Sequence, residues 1–152
     1  MFDSHFRSGF TLSPIVVLTL IVGAIVAFVV VSNRQVPEGP VPVVWDKTAC
    51  AHCVMHLGDP RFAAQLTTTS GDTFFYDDPG CLFLHRRTLL ETSTKIHAMW
   101  FCDMNGNGWL SQQDVAFLAT EGSPMDFGFG AIQRGFPTEV LLENVDRTFL
   151  KR

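Results

Sequence analysis

An uninterrupted apolar run near the start of the chain sets the strongest constraint on what this sequence can fold into. Residues 15–31 carry no charge, and the uncharged stretch extends back to Phe10. At 1.5 Å per residue, an α-helix over this stretch is long enough to span the ~30 Å hydrocarbon core of a bilayer. We therefore expect a transmembrane anchor over residues 10–33, preceded by a tail of residues 1–9.

Two other interpretations of this segment stay open. A cleavable signal peptide usually has a shorter apolar region and a small-residue cleavage site, whereas polar residues 32–35 follow here. Residues 7–12 resemble the cleavage region of type IV prepilins, which are cut after the glycine that is Gly9 here, although Pro14 stands where that family usually carries glutamate. A retained anchor fits the run best.

The chain after the anchor has room for one small domain. Residues 34–45 contain three prolines, which favours an extended spacer. The domain then occupies residues 46–152. The formal net charge is −4 and no dense basic patch occurs, so we expect no nucleic-acid partner.

The pattern of apolar and turn-forming residues predicts an α+β fold, with two similar ββα units forming one small domain. Asp78 is a good N-cap with Pro79 at the first helical position, and Ser111 and Asp114 stand at capping-box spacing. In chain order, the pattern predicts strands at 43–45, 61–69 and 73–76, a helix from 79, strands at 95–102 and 109–110, a helix at 111–120, a strand at 127–132 and a helix at 137–149.

A cluster of sulfur and nitrogen ligands follows the spacer. Two thiols, a thioether and two imidazoles fall within seven residues, at Cys50, His52, Cys53, Met55 and His56. The C-x-x-C spacing suits one metal ion or one disulfide, and thiolate with thioether selects soft ions such as Cu(I). Structural zinc is the alternative, but it normally needs a second close pair, and the other two cysteines are twenty-one residues apart.

Three more alternatives for the cluster stay open. In the first, Cys50 and Cys53 form the active pair of a thiol-disulfide oxidoreductase, although Pro60 leaves little room for the long helix that should follow. In another, they form an ordinary disulfide. In the third, the chain is a structural, pilin-like exported domain that binds Ca²⁺ or Zn²⁺.

Two further patterns suggest metal ligands more weakly. The segment from Asp103 to Asp114 fits the ligand spacing of an EF-hand Ca²⁺ loop, but its Asn-Gly repeats also favour a plain hairpin, which we prefer. Cys81 and His85 are one helical turn apart and form a conceivable second metal pair.

Four segments together carry a family resemblance. They are Cys50-x-x-Cys53-x-Met55, residues 59–65, residues 76–81 and residues 123–128. In order and spacing they resemble the NosL family of accessory proteins for nitrous oxide reductase. In that family glycine is common at the positions of Val54 and Asp126, and relatives are typically lipoproteins.

The resemblance implies a function and a ligand set. It implies a membrane-tethered Cu(I) chaperone with its domain on the periplasmic side. With the apolar helix in place of the family's lipid, we expect a single pass through the bacterial inner membrane. The resemblance implies Cys53, Met55 and Met125 as Cu(I) ligands, to which we add Cys50 as an additional or transfer ligand and His52 or His56 as a peripheral one. One expected partner is then the membrane. The other is either an exported cuproenzyme that accepts the copper, with nitrous oxide reductase as the first candidate, or copper-transfer machinery. No nucleophile with an adjacent base appears, so we expect a non-enzyme.

Overall fold

The N-terminal apolar run forms one long helix. The computed structural model describes residues 13–32, 35–137 and 139–150, and the chain divides into two units, residues 1–35 and 36–152. Helix α1 (Pro14–Ser32) is long and apolar enough to cross a membrane. The predicted tail, the prepilin-like cut after Gly9 and the ends of the predicted anchor lie outside the described residues.

The second unit is an α+β domain, as predicted, and its strands form two antiparallel sheets. The first sheet contains β1 (Ala64–Thr68), β2 (Thr73–Tyr76), β3 (Ile96–Cys102) and β4 (Trp109–Ser111), in the order β2-β1-β3-β4. The second contains β5 (Val115–Ala119), β6 (Phe129–Gln133) and β7 (Val140–Leu141), in the order β6-β5-β7. Helix α2 (Pro79–Glu91) follows β2, helix α3 (Leu142–Leu150) follows β7, and a 3₁₀ helix (Pro60–Phe62) precedes β1.

Four phenylalanine rings join α2 to both sheets. Phe83 of α2 stacks on Phe101 of β3 with 5.9 Å between ring centroids, and it meets Phe117 of β5 edge-on at 5.7 Å. Phe129 of β6 packs edge-on against Phe117 at 5.5 Å. Offset and edge-to-face pairs at these distances add to the stabilisation from buried apolar area. The aromatic contacts therefore fix α2 between the sheets, and the N-terminus of α2 is where the candidate site lies.

The predicted start of α2 is confirmed. The carboxylate of Asp78 accepts a hydrogen bond from the backbone N–H of Gly80 at 2.8 Å, and Pro79 occupies the first helical position. An N-cap carboxylate satisfies one of the helix's unpaired N–H groups, and proline there has no N–H to lose. Both signals are local, so the sequence sufficed to place them.

The helix predicted over residues 111–120 is wrong. Those residues contain β5, which pairs with β6 on one side and β7 on the other. The N–H of Asp114 donates to the carbonyl of Ser111 at 3.0 Å, so the supposed capping box closes a tight turn between β4 and β5. Pairing on both edges and burial of Val115 and Phe117 outweigh the local capping signal.

The predicted terminal helix also begins later than expected. Val140–Leu141 forms β7, and α3 starts only at Leu142. The second ββα unit therefore does not have its predicted bounds. This half of the domain does contain the order β5, β6 and α3, but the short strand β7 lies between β6 and α3.

The proline-rich segment contacts the domain before it reaches the cysteine cluster. The N–H of Val41 donates to Oε1 of Gln65 at 2.8 Å, and Nε2 of Gln65 donates to the carbonyl of Val41 at 2.7 Å. Gln65 is fully buried, so this pair of bonds satisfies both ends of its amide. The strand predicted at 43–45 is wrong, because that segment is irregular and turns at Trp45.

The segment from Asp103 to Asp114 forms a β-hairpin, as preferred, but the capped helix expected after that hairpin is the strand β5. The segment follows β3, contains β4 and is followed by β5, so it is flanked by strands rather than by helices. The carboxylate of Asp103 accepts hydrogen bonds from the N–H of Asn105 at 2.9 Å and the amide of Asn107 at 3.0 Å. The helix–loop–helix frame of an EF-hand is therefore absent from the described residues around this loop.

Candidate metal centre

The C-x-x-C pair lies at the tip of a compact loop held by its own backbone. The N–H of Cys50 donates to the carbonyl of Met55 at 2.8 Å, and the N–H of Val54 donates to the carbonyl of Cys50 at 3.0 Å. Ala51 donates to the carbonyl of Phe75 at 2.8 Å, which ties the loop to β2. This places Cys50 and Cys53 beside the end of β2 and the start of α2.

Three thiols and one carboxylate meet at this point. The ligand atoms of Cys50, Cys53, Asp77 and Cys81 all lie within 4.8 Å of one another. Cys50, Asp77 and Cys81 are buried, and Cys53 is partly buried. All four cysteines of the chain are free thiols, and the C-x-x-C pair lies in a turn rather than at the start of a long helix. That arrangement is unlike a thioredoxin-type site.

Asp77 brings a carboxylate into the buried cluster. Its Oδ1 accepts a hydrogen bond from Sγ of Cys53 at 3.3 Å. Its Oδ2 is buried and has no hydrogen-bond partner among the described residues. A buried carboxylate oxygen without a partner is costly, and a cation at this position would satisfy it.

The thiols influence one another's protonation. The pKa of Cys50 is lowered to about 6, chiefly because the thiol of Cys81 donates a hydrogen bond to it. The pKa of Cys81 is raised, because of the same hydrogen bond and because of its burial. Burial also raises the pKa of Cys53, to about 11. The metal-free cluster therefore favours one thiolate flanked by two thiols, and a bound cation would favour loss of the remaining protons.

The loop that carries Met125 is fixed to the same helix terminus. The N–H of Met125 donates to Oδ2 of Asp78 at 3.3 Å, and Met125 packs against the core that includes Cys81. Two residues later, the Phe127 ring lies against Gly80, where an added Cβ would overlap it. The absence of a side chain at Gly80 lets this loop approach the N-terminus of α2.

The sequence-predicted ligands differ in their placement. Cys50 and Cys53 belong to the buried cluster. Met55 is 47 % exposed on the same loop, and His52 and His56 are exposed there as well. Neither histidine is part of the group of converging ligand atoms, and the predicted copper ligand set of Cys53, Met55 and Met125 stays a prediction.

Two residues of the cluster were not predicted as ligands of this site. Cys81 was weighed with Cys102 as a second cysteine pair and with His85 as a metal pair, but Nδ1 of His85 lies 2.9 Å from the Tyr76 hydroxyl. Asp77 was not singled out. The available signal was the Asp-Asp-Pro-Gly-Cys run of residues 77–81, which puts a carboxylate and a thiol on either side of a helix N-cap.

Two loop positions have the backbone geometry that favours glycine. Val54 has φ +67° and Asp126 has φ +57°. Side chains other than glycine are uncommon in this left-handed region, and a β-branched residue is an outlier there. These are the two positions at which the sequence resemblance leads one to expect glycine.

Together, the fold and the cluster define an α+β domain with a candidate site for a thiophilic metal ion, in a chain whose α1 is long enough to cross a membrane. No protein-family model matches the chain, and none of the curated proteins matches it. Among solved structures, the chain is similar to the crystal structure of the copper chaperone NosL from Shewanella denitrificans. The sequence identity is 14 %, the TM-score is 0.46, and the alignment covers 76 % of this chain and 88 % of that one.

Proposed function

We propose that this protein is a membrane-anchored Cu(I)-binding chaperone that delivers copper to an exported cuproenzyme. The observation that carries the proposal is that one loop brings the thiols of Cys50 and Cys53 together, beside the helix terminus to which the Met125 loop is bonded. Thiolate and thioether sulfur are the ligands that Cu(I) prefers in proteins.

The proposed cargo ligands are Cys53, Met55 and Met125, with Cys50 as an additional ligand and His52 and His56 peripheral. Their exposure supports handover. Cys53 is partly buried and Met55 is 47 % exposed, so a donor or acceptor can add its own ligand before these release the ion. Thioether sulfur carries no proton, so its share of binding persists in mild acid.

The proposed location is the bacterial inner membrane, with a single pass and the domain on the periplasmic side. Helix α1 supports the anchor because it is long and apolar enough to cross a membrane. The side on which the domain lies follows from the sequence resemblance. Protease protection in intact and permeabilised cells measures it directly, and cleavage of the domain only after the inner membrane is opened would contradict it.

Competition with a Cu(I) chelator tests the ligand set. We expect the reduced full chain to bind one Cu(I), and Cys53→Ser and Met125→Leu to weaken that binding by at least about tenfold each, which corresponds to ~1.4 kcal/mol. Cys102→Ser and Met104→Leu are matched controls, since Cys102 is not among the converging thiols and the Met104 side chain lies against Gly130 of β6. Wild-type Cu(I) affinity in both Cys53→Ser and Met125→Leu would exclude this assignment.

Transfer to the recipient is a separate measurement. Nitrous oxide reductase is the proposed recipient, on the strength of the sequence resemblance. Copper-loaded protein should pass Cu(I) to the metal-free reductase faster than free chelated Cu(I) does. Equal rates with and without the chaperone would point to another exported cuproenzyme.

A further inference from the structure

The buried cluster contains one more ligand type than a Cu(I) carrier needs. Cys81 and Asp77 lie inside it, and neither belongs to the cargo ligand set proposed above. We propose that Cys50, Cys53, Cys81 and Asp77 form a four-ligand site for a divalent thiophilic ion, with Zn²⁺ as the physiological candidate. This inference goes beyond copper handling and concerns a second class of metal ion.

The spacing of the four ligand atoms suits tetrahedral coordination. Zinc–sulfur bonds of ~2.3 Å and zinc–oxygen bonds of ~2.0–2.2 Å give ligand-to-ligand edges of roughly 3.5–3.8 Å in a tetrahedron. Here every pair of ligand atoms lies within 4.8 Å, and Sγ of Cys53 is 3.3 Å from Oδ1 of Asp77. Side-chain adjustments of about an ångström or less bring the four atoms around one ion.

Asp77 is the observation that points to a divalent ion rather than to Cu(I). Its side chain is buried with the residue 2 % exposed, and its Oδ2 has no hydrogen-bond partner among the described residues. Carboxylate oxygen is a regular zinc ligand, whereas Cu(I) selects soft sulfur donors. A divalent ion also compensates more of the negative charge that three thiolates and a carboxylate bring into a buried site.

The backbone around the cluster holds these ligands before an ion arrives. The bond from Ala51 to the carbonyl of Phe75 fixes the cysteine loop to β2, and the N-cap at Asp78 fixes the start of α2. Asp77 and Cys81 therefore stand on either side of a rigid helix start. Two shared ligands, Cys50 and Cys53, make occupation by Zn²⁺ and by Cu(I) mutually exclusive.

Co²⁺ is the spectroscopic probe for this site. We expect the reduced, metal-free full chain in detergent to bind one Co²⁺ with the intense visible bands of tetrahedral coordination and with near-ultraviolet thiolate charge transfer. Zn²⁺ should displace it. Cys81→Ser should lower the charge-transfer intensity by about one third, because one of three thiolates is lost. Weak visible bands of octahedral Co²⁺, or no thiolate charge transfer, would overturn the proposal.

The Asp77→Asn variant distinguishes Zn²⁺ binding from Cu(I) binding. The substitution keeps the shape of the side chain and removes its charge, so Zn²⁺ affinity should fall by more than about tenfold. Loss of a residue that only hydrogen-bonds to a metal ligand typically weakens metal binding by about tenfold or more. Cu(I) affinity should change by less than about threefold, which is under 1 kcal/mol. Cys102→Ser is the control and should leave both affinities unchanged. Unchanged Zn²⁺ affinity in Asp77→Asn would remove the carboxylate from the site.

Measurements on the wild-type chain keep the test independent of whether a variant folds. The ¹¹³Cd chemical shift of the Cd²⁺-loaded chain should lie in the range of sites with three sulfur ligands and one oxygen ligand, and a shift typical of two sulfur ligands or fewer would contradict the proposal. Failure here leaves the copper proposal standing, because that proposal rests on Cu(I) affinity in Met125→Leu. Loss of Cu(I) binding alone likewise leaves the divalent site standing.

Discussion

The backbone N–H of Met125 donates a hydrogen bond to Oδ2 of Asp78, 3.3 Å away and forty-seven positions earlier in the chain. The other carboxylate oxygen of Asp78 accepts from the N–H of Gly80 at the start of α2. One side chain therefore caps the helix that presents Cys81 and also holds the loop that presents Met125.

Replacing Asp78 should separate the two roles of its carboxylate. Asp78→Ser keeps a capping oxygen but is too short to reach the Met125 loop, so we expect a stability loss of less than about 1 kcal/mol and a clear fall in Cu(I) affinity. Asp78→Ala should lose both the cap and the tether, at about 1–2 kcal/mol. Thermal unfolding and chelator competition measure the two effects. Equal Cu(I) affinity in Asp78→Ser and the wild type would show that the tether does not position Met125.

Gly80 and Phe127 should be strongly coupled. An alanine Cβ at position 80 would overlap the Phe127 ring, so Gly80→Ala should destabilise the fold by about 1–3 kcal/mol. In a Phe127→Ala background the same change should be neutral or stabilising, because alanine is favoured over glycine in a helix by roughly 1 kcal/mol. A double-mutant cycle on the free energy of unfolding measures the coupling, and additive effects would contradict the contact.

Val54→Gly should relieve backbone strain. Val54 has φ +67° and is 74 % exposed, so glycine loses little packing there. Left-handed geometry costs an L-residue about 1–2 kcal/mol, and glycine's extra chain entropy offsets roughly 0.5–1 kcal/mol of the gain. We expect net stabilisation of up to about 1 kcal/mol in denaturant unfolding.

Val44→Gly is the matched control for that change. Val44 is also exposed, at 59 %, but it is not among the residues with positive φ. The same substitution should therefore destabilise the protein there. A loss of stability in both variants would mean that Val54 is not strained.

The thiol cluster should make the stability of the metal-free, reduced protein depend on pH. The pKa of Cys50 falls from its ordinary value of 9.0 to about 6 on folding, because Cys81 donates a hydrogen bond to its thiolate. Between these values the unfolded state binds more protons, so the free energy of unfolding rises with pH, and this contribution is lost as pH falls through about 6.

Cys53 should oppose this trend at higher pH. Burial raises its pKa from 9.0 to about 11, so above pH 9 the folded state binds more protons and stability falls as pH rises. Denaturant unfolding across the range measures both slopes. Cys50→Ser should flatten the rise between pH 6 and 9, whereas an unchanged slope in that variant would assign the rise to other groups.

Local chemistry made part of this fold predictable from the sequence. Asp78 and Pro79 start a helix because capping depends on atoms two residues apart, and the strand at 73–76 appears where its β-branched and aromatic residues indicate. Ser111 and Asp114 show the same kind of local signal and do not start a helix. There, pairing of Val115–Ala119 with two neighbouring strands and burial of Phe117 decided the outcome.

The candidate site was predictable only in part. The C-x-x-C-x-Met spacing identified Cys50 and Cys53 as soft ligands that lie together in one loop. Helical spacing, in contrast, paired Cys81 with His85, because residues four apart lie on the same face of a helix. The structure instead places Cys81 beside Cys50, since the cysteine loop is bonded to β2 and β2 leads directly into α2.

By itself, the sequence determined the apolar helix α1, the α+β class of the domain, the start of α2 and the presence of a soft-ligand loop. These follow from composition and from contacts within a few residues. Only the tertiary structure decided which ligands meet, how the Met125 loop approaches Gly80, and that Oδ2 of Asp77 has no hydrogen-bond partner in the described part of the chain. Such contacts form between residues far apart in the chain, where strand pairing and burial of the phenylalanine rings, rather than local spacing, set the distances.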